Sequence, residues 1–524
     1  MSDFAAPPDI GIEELRAHLE PLGDNRIEAQ QKASAVCLDT FDGLLEQAGR
    51  ELRVKGKKGD YLLLLQSTET DEPVDPLRLP ALPRFATDLP PSPLRSRLID
   101  ITHPRALLPQ VTLAEKCTTL ALMDKESKTV ARLHVIESRI ENPSIRPAKL
   151  ATRLRIEPLR GYSRAARRLQ RRLEAWPLLE SGAATRYQEA KAKLQLTPTE
   201  NSSKLRVTLQ PEMRADAALR TLLRQLLHTM EINEWGIREA IDTEFLHDFR
   251  VSVRRTRSAL NQIKGVFPTP IVNRFKREFA WLGAITTPLR DLDVYLLHYP
   301  EYVSELPREQ RPDLEPLRQY LLDQQRSAHK RLVRHLDSRR YNTLRSDWQR
   351  FLDSPLPKRS SLPNVTRPIL AVASERIWKV YRRALKEGRA IDEHSPAERL
   401  HELRKTCKKL RYLMEFFRTL YPDKAARRAI KLLKQLQDVL GAFQDLEVQQ
   451  TMLQRFAGEM RARGEMPDAT QQAIDQLVNR LRQGQTETRA RFGHRFQTFS
   501  ARQHRHLFGK LFQPASNNGS VRVA

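Results

Sequence analysis

Two segments of the chain place a histidine ahead of basic residues at the same spacing. The first is LHDFRVSVRRTRSALNQIKGVFP, residues 246–268, and the second is LHELRKTCKKLRYLMEFFRTLYP, residues 400–422. In each segment, basic residues follow the histidine by three, seven and ten positions. Arginine can bind two phosphate oxygens through its planar guanidinium group, whereas lysine acts as a point charge. The chemistry that this spacing indicates is the binding of a phosphate-rich anion.

The basic residues share one face of an amphipathic helix. At 100° per residue, they lie within about 80° of the histidine, and apolar residues such as Phe249 and Leu403 lie on the opposite face. Helices exposed to water usually alternate Glu with Lys four residues apart, because like charges at that spacing repel. Two interpretations follow: a charged face in contact with water, or a surface whose repulsion a bound anion offsets. The second copy of the pattern favours the anion.

The two histidines, His247 and His401, admit two roles. Each can donate a hydrogen bond to a phosphate oxygen, or each can brace the start of its helix. Nucleophiles, clustered metal ligands and paired carboxylates are missing from their neighbourhood in the sequence. The sequence therefore predicts no catalytic residue, no metal site and no cofactor in these segments.

The segments belong to a longer internal repeat. At the offset of 154 residues that superimposes position 246 on position 400, RDLDV at 290–294 also falls on QDLEV at 444–448. Helical periodicity continues from about residue 211 to 512, with a Pro/Ser-rich break at 354–368. We predict two related helical bundles, residues 205–353 and 369–512, arranged about a pseudo-twofold axis. Residues 513–524 are predicted to be a disordered tail.

The charge balance limits the class of partner. The chain has 524 residues, with 90 Lys and Arg against 64 Asp and Glu, a formal net charge of +26. Such an excess attracts nucleic acid, an anionic membrane surface or inorganic polyphosphate. The sequence contains neither a secretory signal pattern nor an apolar run of about 18 residues, and its three cysteines lack metal-ligand spacing. We therefore expect a cytoplasmic protein that does not enter a membrane.

The repeated segments resemble the signature helices of the CHAD domain, the conserved histidine α-helical domain. The shared pattern reads H-x-x-R-x-x-x-[RK]-[RK]-x-R, and the resemblance extends over about residues 205–512. It implies two antiparallel four-helix bundles, a basic channel that binds inorganic polyphosphate, and association with polyphosphate granules. The polyphosphate contacts that it implies, with Lys405 and Tyr412 flanking the others, are His247, Arg250, Arg254, Arg255, Arg257, His401, Arg404, Lys405, Lys408, Lys409, Arg411 and Tyr412.

Residues 1–200 carry a second resemblance. The stretch CLDTFDGLLEQAGRELRVKGKKGDYLLLLQ, residues 37–66, is similar to the opening of a CYTH domain, the triphosphate tunnel fold. This resemblance implies an α+β domain built on a degenerate antiparallel barrel, so that the whole chain is mostly α with one mixed domain. Residues 161–176, GYSRAARRLQRRLEAW, have the pattern of a basic amphipathic helix that follows the last strand.

The catalytic residues of the CYTH family have no counterparts here. Residues 1–36 lack the family's E-x-E-x-K strand, and Leu65 stands near the place of its T-x-K lysine. Basic residues replace the acidic residues expected to hold a divalent cation for hydrolysis; they are Arg132, His134, Arg153 and Arg155. We therefore expect a domain that is not an enzyme.

Two other functions remain open at this stage. One is a metal-dependent triphosphatase activity of residues 1–200, which the missing acidic residues disfavour. The other is nonspecific binding of nucleic acid at low salt, which so basic a chain permits. Aromatic residues make up 6% of the chain and are few on the basic helices, which disfavours stacking on single-stranded bases. The sequence sets neither an oligomeric state nor a preferred polyphosphate length.

Overall fold

The chain folds as two compact units, residues 1–202 and 203–524. The computed structural model describes residues 3–67, 73–141, 147–181, 184–196, 205–392 and 394–514. The tail predicted for 513–524 lies, from residue 515 onward, outside the described residues.

The first unit is built on one antiparallel sheet of ten strands. Their order is β10-β1-β9-β7-β6-β2-β3-β4-β5, with β8 paired to β7, and in the described strands the path stays open. The antiparallel sheet of the predicted degenerate barrel is thus confirmed, and in the described strands it does not close into a barrel. The strands are β1 Asp3–Ala6, β2 Asn25–Asp39, β3 Arg50–Lys57, β4 Asp60–Ser67, β5 Pro73–Leu79, β6 Leu108–Met123, β7 Thr129–Glu141, β8 Ala148–Lys149, β9 Thr152–Pro158 and β10 Glu180–Ser181.

Helices pack on both faces of this sheet. Helices α1 and α4 cover one apolar cluster, α2 and α3 cover a second, and α5 covers a third. The helices are α1 Ile12–Leu19, α2 Leu44–Gln47, α3 Pro93–Thr102, α4 Ser163–Glu174 and α5 Arg186–Lys193. Short 3-10 helices are formed by Glu20–Leu22 and Ala86–Asp88.

The D-T-x-D stretch that carries part of the CYTH resemblance starts helix α2. The Asp39 carboxylate accepts hydrogen bonds from the backbone N–H groups of Thr40 (2.7 Å) and Leu45 (2.9 Å). The Thr40 hydroxyl accepts from Leu44 N (2.9 Å) and donates to Asp42 Oδ1 (2.8 Å). These side chains therefore satisfy donors at a helix start, where the backbone offers no partner.

The second unit is helical throughout. Each half of it contains four longer helices followed by a shorter one, so a fifth helix accompanies each predicted four-helix bundle. The first half comprises α6 Ala215–Arg238, α7 Thr243–Gln262, α8 Thr269–Glu305, α9 Glu315–Leu336 and α10 Arg339–Asp353. The second comprises α11 Ile369–Arg389, α12 Ala397–Phe416, α13 Asp423–Ala462, α14 Asp468–Ser500 and α15 Arg502–Phe512. Arg308–Leu314 and Arg418–Leu420 are 3-10 helices.

Backbone contacts between the halves follow the predicted pseudo-twofold axis. Ala215 N donates to Arg367 O (3.0 Å), and Ile369 N donates to Met213 O (2.8 Å). The donors Ala215 and Ile369 are 154 positions apart, and so are the acceptors Met213 and Arg367. The two hydrogen bonds are therefore equivalent under the repeat, as contacts across a twofold axis are. Between them, Arg214 forms an antiparallel bridge with Pro368, its own counterpart. Such reciprocal pairing places the axis at this bridge.

The helices of the repeat begin in register. The first residues of α6, α7 and α8 are 215, 243 and 269, and those of α11, α12 and α13 are 369, 397 and 423, each 154 later. Each signature helix buries its apolar face, with Phe245 and Phe249 in α7 and Leu403 and Cys407 in α12 at 0% exposure. The opposite, basic faces of α7 and α12 are therefore left to form the site.

Candidate anion-binding site

The centre of the site is a group of three cations contributed by two helices. Arg254 lies on α7, and Arg404 and Lys408 lie on α12. Burial, reinforced by Arg404 and Arg254, lowers the pKa of Lys408 to about 8. Burial also lowers the pKa of Arg404, with Arg254 adding to the effect and Asp445 opposing it. The two signature helices thus bring their positive charges close enough to repel one another.

Arg250 extends this group toward helix α8. Its Nη1 donates to Thr286 Oγ1 (2.6 Å), Gly283 O (3.1 Å) and Thr287 Oγ1 (3.1 Å). All three acceptors are neutral, so they orient the guanidinium group without cancelling its charge. Burial, together with Arg254, lowers the pKa of Arg250 to about 10. This arginine is therefore fixed in place while its charge is kept.

Glu415 of α12 places a carboxylate beside two arginines of the basic surface. Glu415 Oε2 is 2.9 Å from Arg255 Nη2, and Glu415 Oε1 is 3.4 Å from Arg411 Nε. Its counterpart in the first half is Asn261, so the acid is present on one side of the axis alone. Arg255 and Arg411 are consequently part of an ion-paired rim, whereas Arg254 at the centre is exposed.

The acidic repeat motifs lie beside the signature helices. Arg290 Nη1 in RDLDV donates to Thr243 O (3.0 Å) and approaches Glu244 Oε1 (3.3 Å). In QDLEV, Gln444 Oε1 is within hydrogen-bonding distance of His401 Nδ1, and Asp445 Oδ1 accepts from Arg404 Nη2 (3.2 Å). These contacts tie the start of each signature helix to the helix that follows it.

The other residues predicted to bind occupy different positions around this centre. Lys405 is exposed and pairs with Glu402 (2.7 Å), and Tyr412 is buried against Phe416 with ring centroids 6.2 Å apart. Lys409 is half-buried and forms no ion pair within the described part of the chain. The structure therefore brings most of the predicted basic residues to one surface and places Tyr412 in the core. His247 is half-buried on α7.

This helical unit can be assigned to a known family. Residues 221–454 match the family model of the CHAD domain. The chain contains a CHAD domain. The match includes every residue of the candidate site, and the predicted assignment of the repeated helices is confirmed. No curated protein matches the chain.

Two solved structures are similar to part of this chain. The CHAD domain from the plant Ricinus communis shares 26% identity, with 56% of this chain and 95% of that chain covered and a TM-score of 0.46. PptA from Streptomyces chartreusis shares 18% identity, with 54% and 100% covered and a TM-score of 0.42. The CYTH resemblance of the first unit stays a prediction.

The CHAD domain has further basic residues that the signature motif does not include. A cavity of about 520 Å³ lies between the end of α7 and the start of α8, and its basic lining residues are Arg257, Arg274, Lys276 and Arg277. At the start of α13, the matching helix of the second half, exposed basic residues lie at Lys424, Arg427, Arg428, Lys431 and Lys434, so that each has another three or four positions away. This spacing is visible in the sequence and could have predicted a wider basic surface.

The first unit holds its buried charges in a different arrangement. Arg53, Lys55, Glu115 and Arg153 project from one side of the sheet, called here the α5 face because α5 covers it. Arg186 of α5 is 3.1 Å from Glu115, and both side chains are about 5% exposed. Other pairs are Arg53–Glu51 (2.6 Å), Lys55–Glu115 (3.7 Å) and Arg153–Glu189 (3.5 Å). Each cation in these pairs therefore faces a carboxylate.

The replacements noted in the CYTH comparison lie on this same face. Arg132 forms ion pairs with Glu28 (2.6 Å) and Glu157 (3.4 Å), and His134 Nε2 is 2.8 Å from Glu157. Arg155 pairs in register with His134. Leu65 lies on the opposite face, inside an apolar cluster. Among the described residues, no group of three His, Cys, Asp or Glu side chains is arranged to hold a metal ion.

Within the described residues, no helix combines the length and the apolar character that a transmembrane helix needs.

Proposed function

We propose that the CHAD domain binds inorganic polyphosphate, without hydrolysing it, through the basic faces of α7 and α12. The observation that carries this proposal is the burial of Lys408 beside Arg254, Arg404 and Arg411, which lowers its pKa to about 8. Placing like charges together and away from water is unfavourable unless an opposite charge compensates. A bound phosphate chain would supply that compensation in the site.

The shape of the basic surface favours a polymer over a small anion. Arg250, Arg254 and Arg257 are spread along α7, and Arg404, Lys408 and Arg411 are spread along α12. At 1.5 Å per residue, each set extends over about 10 Å of helix. A single phosphate would neutralise a part of these charges, whereas a flexible chain of phosphates reaches both sets. The cavity beside Arg257 offers a continuation of the same surface.

Nucleic acid is the second candidate, since the net charge of +26 attracts any polyanion. Single-strand binding usually adds aromatic side chains on which bases stack. Tyr412, the aromatic residue within the second signature motif, is 8% exposed and packs against Phe416. The site therefore offers positive charge but no exposed aromatic ring within the second signature motif, which favours inorganic polyphosphate over nucleic acid.

The test is the affinity of the full chain for long-chain polyphosphate as a function of salt. The variant Arg254→Gln/Arg404→Gln/Lys408→Gln should lose about 100-fold in affinity, at roughly 1 kcal/mol for each lost charged contact. The slope of log affinity against log salt concentration should become shallower by about 2, if each lost contact contributes about 0.7 as in single-stranded nucleic acid. Incubation of the unmodified protein with polyphosphate and Mg²⁺ or Mn²⁺ should release no phosphate.

A matched control removes the same charge elsewhere. Lys330, Arg331 and Arg334 are exposed on α9, and Lys330→Gln/Arg331→Gln/Arg334→Gln should leave the affinity within about threefold, since weak long-range attraction is largely screened by salt. Equal losses in the two variants would refute the site. Displacement of bound polyphosphate by equimolar DNA phosphate would favour the nucleic-acid alternative, and metal-dependent phosphate release would contradict a purely binding role.

Polyphosphate binding also leads us to propose a cellular location. A cytoplasmic protein with this site would accumulate on polyphosphate granules, because such granules present many phosphate chains at once. A fluorescent fusion should colocalise with granules in polyphosphate-storing cells, and the Arg254→Gln/Arg404→Gln/Lys408→Gln variant should be diffuse.

A further inference from the structure

Helix α4 of the first unit has an exposed face composed of arginines. The helix is Ser163–Glu174, SRAARRLQRRLE. Its apolar side packs into the unit, with Leu169 and Leu173 at 0% exposure. At 100° per residue, the arginines span an arc of about 140° on the other side; they are Arg164, Arg167, Arg168, Arg171 and Arg172. The predicted basic amphipathic helix is thus observed, with its basic side turned outward.

Most of these arginines have no acidic partner among the described residues. Arg164, Arg168 and Arg171 are exposed and form no ion pair with any residue that the structure describes. Arg160, just before the helix, is also exposed and forms no ion pair with a described residue. Arg172, at the edge of the arc, instead fastens α4 to α1, because its Nε donates to His18 O (3.0 Å).

The arrangement is unfavourable for the helix by itself. Arg164 and Arg168, like Arg167 and Arg171, are four residues apart, and like charges at this spacing destabilise a helix by about 0.2–0.5 kcal/mol per pair. Arg164 also lies in the first turn, where the helix dipole favours negative charge. Folding would be served as well by glutamine at these positions. The arginines are therefore better explained by something that they bind.

We infer that the arginine face of α4 is a second polyanion-binding surface, which binds long-chain polyphosphate in addition to the site in the CHAD domain. The identity of the ligand rests on the proposed function. Two sites for one polymer on the same chain would make the second contact intramolecular, so the affinity for long chains would exceed that for short ones. Short chains would occupy either surface without this gain.

Polyphosphate fits this face better than a lipid surface does. A helix that binds in a membrane interface inserts its apolar side among the lipids. The apolar side of α4 is already packed against the sheet through Leu169 and Leu173. Tyr162, directly before the helix, is exposed, but one aromatic ring offers little for stacking a run of bases. The exposed arginines of α4 can therefore recognise a ligand by its charge, and a chain of phosphates carries negative charge along its whole length.

The test uses the full chain carrying Arg164→Gln/Arg168→Gln/Arg171→Gln. These positions are exposed and glutamine favours helix, so circular dichroism and thermal unfolding should match the unmodified protein. We expect the affinity for polyphosphate of about 100 phosphates to fall about tenfold and its salt slope to become shallower by about 2. The affinity for tripolyphosphate should change less than twofold, because a short chain bound at the CHAD site gains nothing from the α4 surface.

The controls separate failure of this inference from failure of the proposed function. Unchanged affinity for the long polymer, or an equal loss with Lys330→Gln/Arg331→Gln/Arg334→Gln, would overturn the α4 surface. The inference would also be overturned if the α4 variant bound phosphatidylserine vesicles or duplex DNA less tightly while its affinity for polyphosphate was unchanged. If Arg254→Gln/Arg404→Gln/Lys408→Gln leaves binding intact while the α4 variant weakens it, the CHAD site is wrong and the α4 surface stands.

Discussion

The α5 face of the first unit and the signature helices of the CHAD domain both contain charged side chains that are at least partly buried, with different balances of charge. On the α5 face, Glu115 lies between Arg186 (3.1 Å) and Lys55 (3.7 Å). Burial acts to raise the pKa of Glu115, but Arg186, Lys55 and Arg53 outweigh it and hold the pKa below its usual value. At the CHAD centre, burial and neighbouring arginines act together to lower the pKa of Lys408.

The comparison gives a physical reason why the same residue types would serve structure in one place and, under the proposed function, binding in another. Where a buried cation faces a carboxylate, the pair is satisfied within the protein, and removing one partner leaves a charge without compensation. At the CHAD centre, Asp445 pairs with Arg404 (3.2 Å), and a bound anion would have to compensate the remaining positive charge of Arg254 and Lys408. The charge of a residue therefore matters less than whether a neighbouring segment supplies its opposite.

The largest effect is expected when the internal pairing of the α5 face is broken. Glu115→Gln should destabilise the first unit by about 3 kcal/mol, because Arg186 and Lys55 would lose a buried partner, and should leave polyphosphate affinity unchanged. Urea-dependent labelling of Cys37, which is 0% exposed, followed by peptide mapping would report the opening of this unit. The control Glu28→Gln breaks a partly exposed pair and should lower the stability of the unit far less than Glu115→Gln does. A similar loss of stability in the two variants would show that the ion pairs of Glu115 matter no more than a partly exposed pair.

A smaller effect is expected from the titration of Lys408. Its pKa is lowered from 10.5 to about 8, so the free protein loses this charge as the pH rises through 8. The groups that face it are Arg404 and Arg411 on its own helix, Arg254 on α7 and Asp445 on α13. A bound phosphate favours the charged lysine and raises its pKa, so binding above pH 8 requires proton uptake.

Affinity for polyphosphate should therefore be constant near pH 7 and fall by up to about tenfold per pH unit above pH 8. Lys408→Arg stays charged over this range and should remove most of the decline. Binding measured from pH 6.5 to 9.5 at constant ionic strength would check this. A decline of equal steepness in both proteins would show that another group controls it.

The smallest effect is expected from the acid at the rim. Glu415→Gln would release Arg255 and Arg411 from their shared carboxylate. Affinity for polyphosphate should then rise about threefold, because a partly exposed ion pair contributes about that much. Asp323→Asn on α9 changes the net charge equally and should have no effect, since its partner Arg326 lies outside the site. Equal or reduced affinity after Glu415→Gln would mean that the rim arginines do not meet the polymer.

Much of the helical unit could be predicted from the sequence. The repeat at a constant offset predicted two related halves, and the starts of α7 and α12 at residues 243 and 397 keep that offset. Helical periodicity also predicted which residues share the basic face, because the angle between side chains on a helix depends on their spacing alone. The fifth helix of each half, α10 and α15, was not predicted.

The partners of individual charges could not be predicted in this way. Glu415 is 160 positions from Arg255, and Arg186 is 71 positions from Glu115. Such pairs arise when separate elements pack together, and sequence spacing does not show which elements will meet. Tyr412 illustrates the same point, since its burial depends on the elements packed around α12. Lys405 is the opposite case, because its partner Glu402 lies three positions away on the same helix.

The sequence by itself determined the duplicated helices, their cationic faces and the excess of positive charge. The tertiary structure decided which of these charges are compensated: α5 supplies partners to the first unit, whereas α7 and α12 bring Arg254, Arg404 and Lys408 together. Periodicity is a local property of the backbone and can be read along the chain. The electrostatic environment of a side chain depends on every segment packed around it, and that is established when the chain folds.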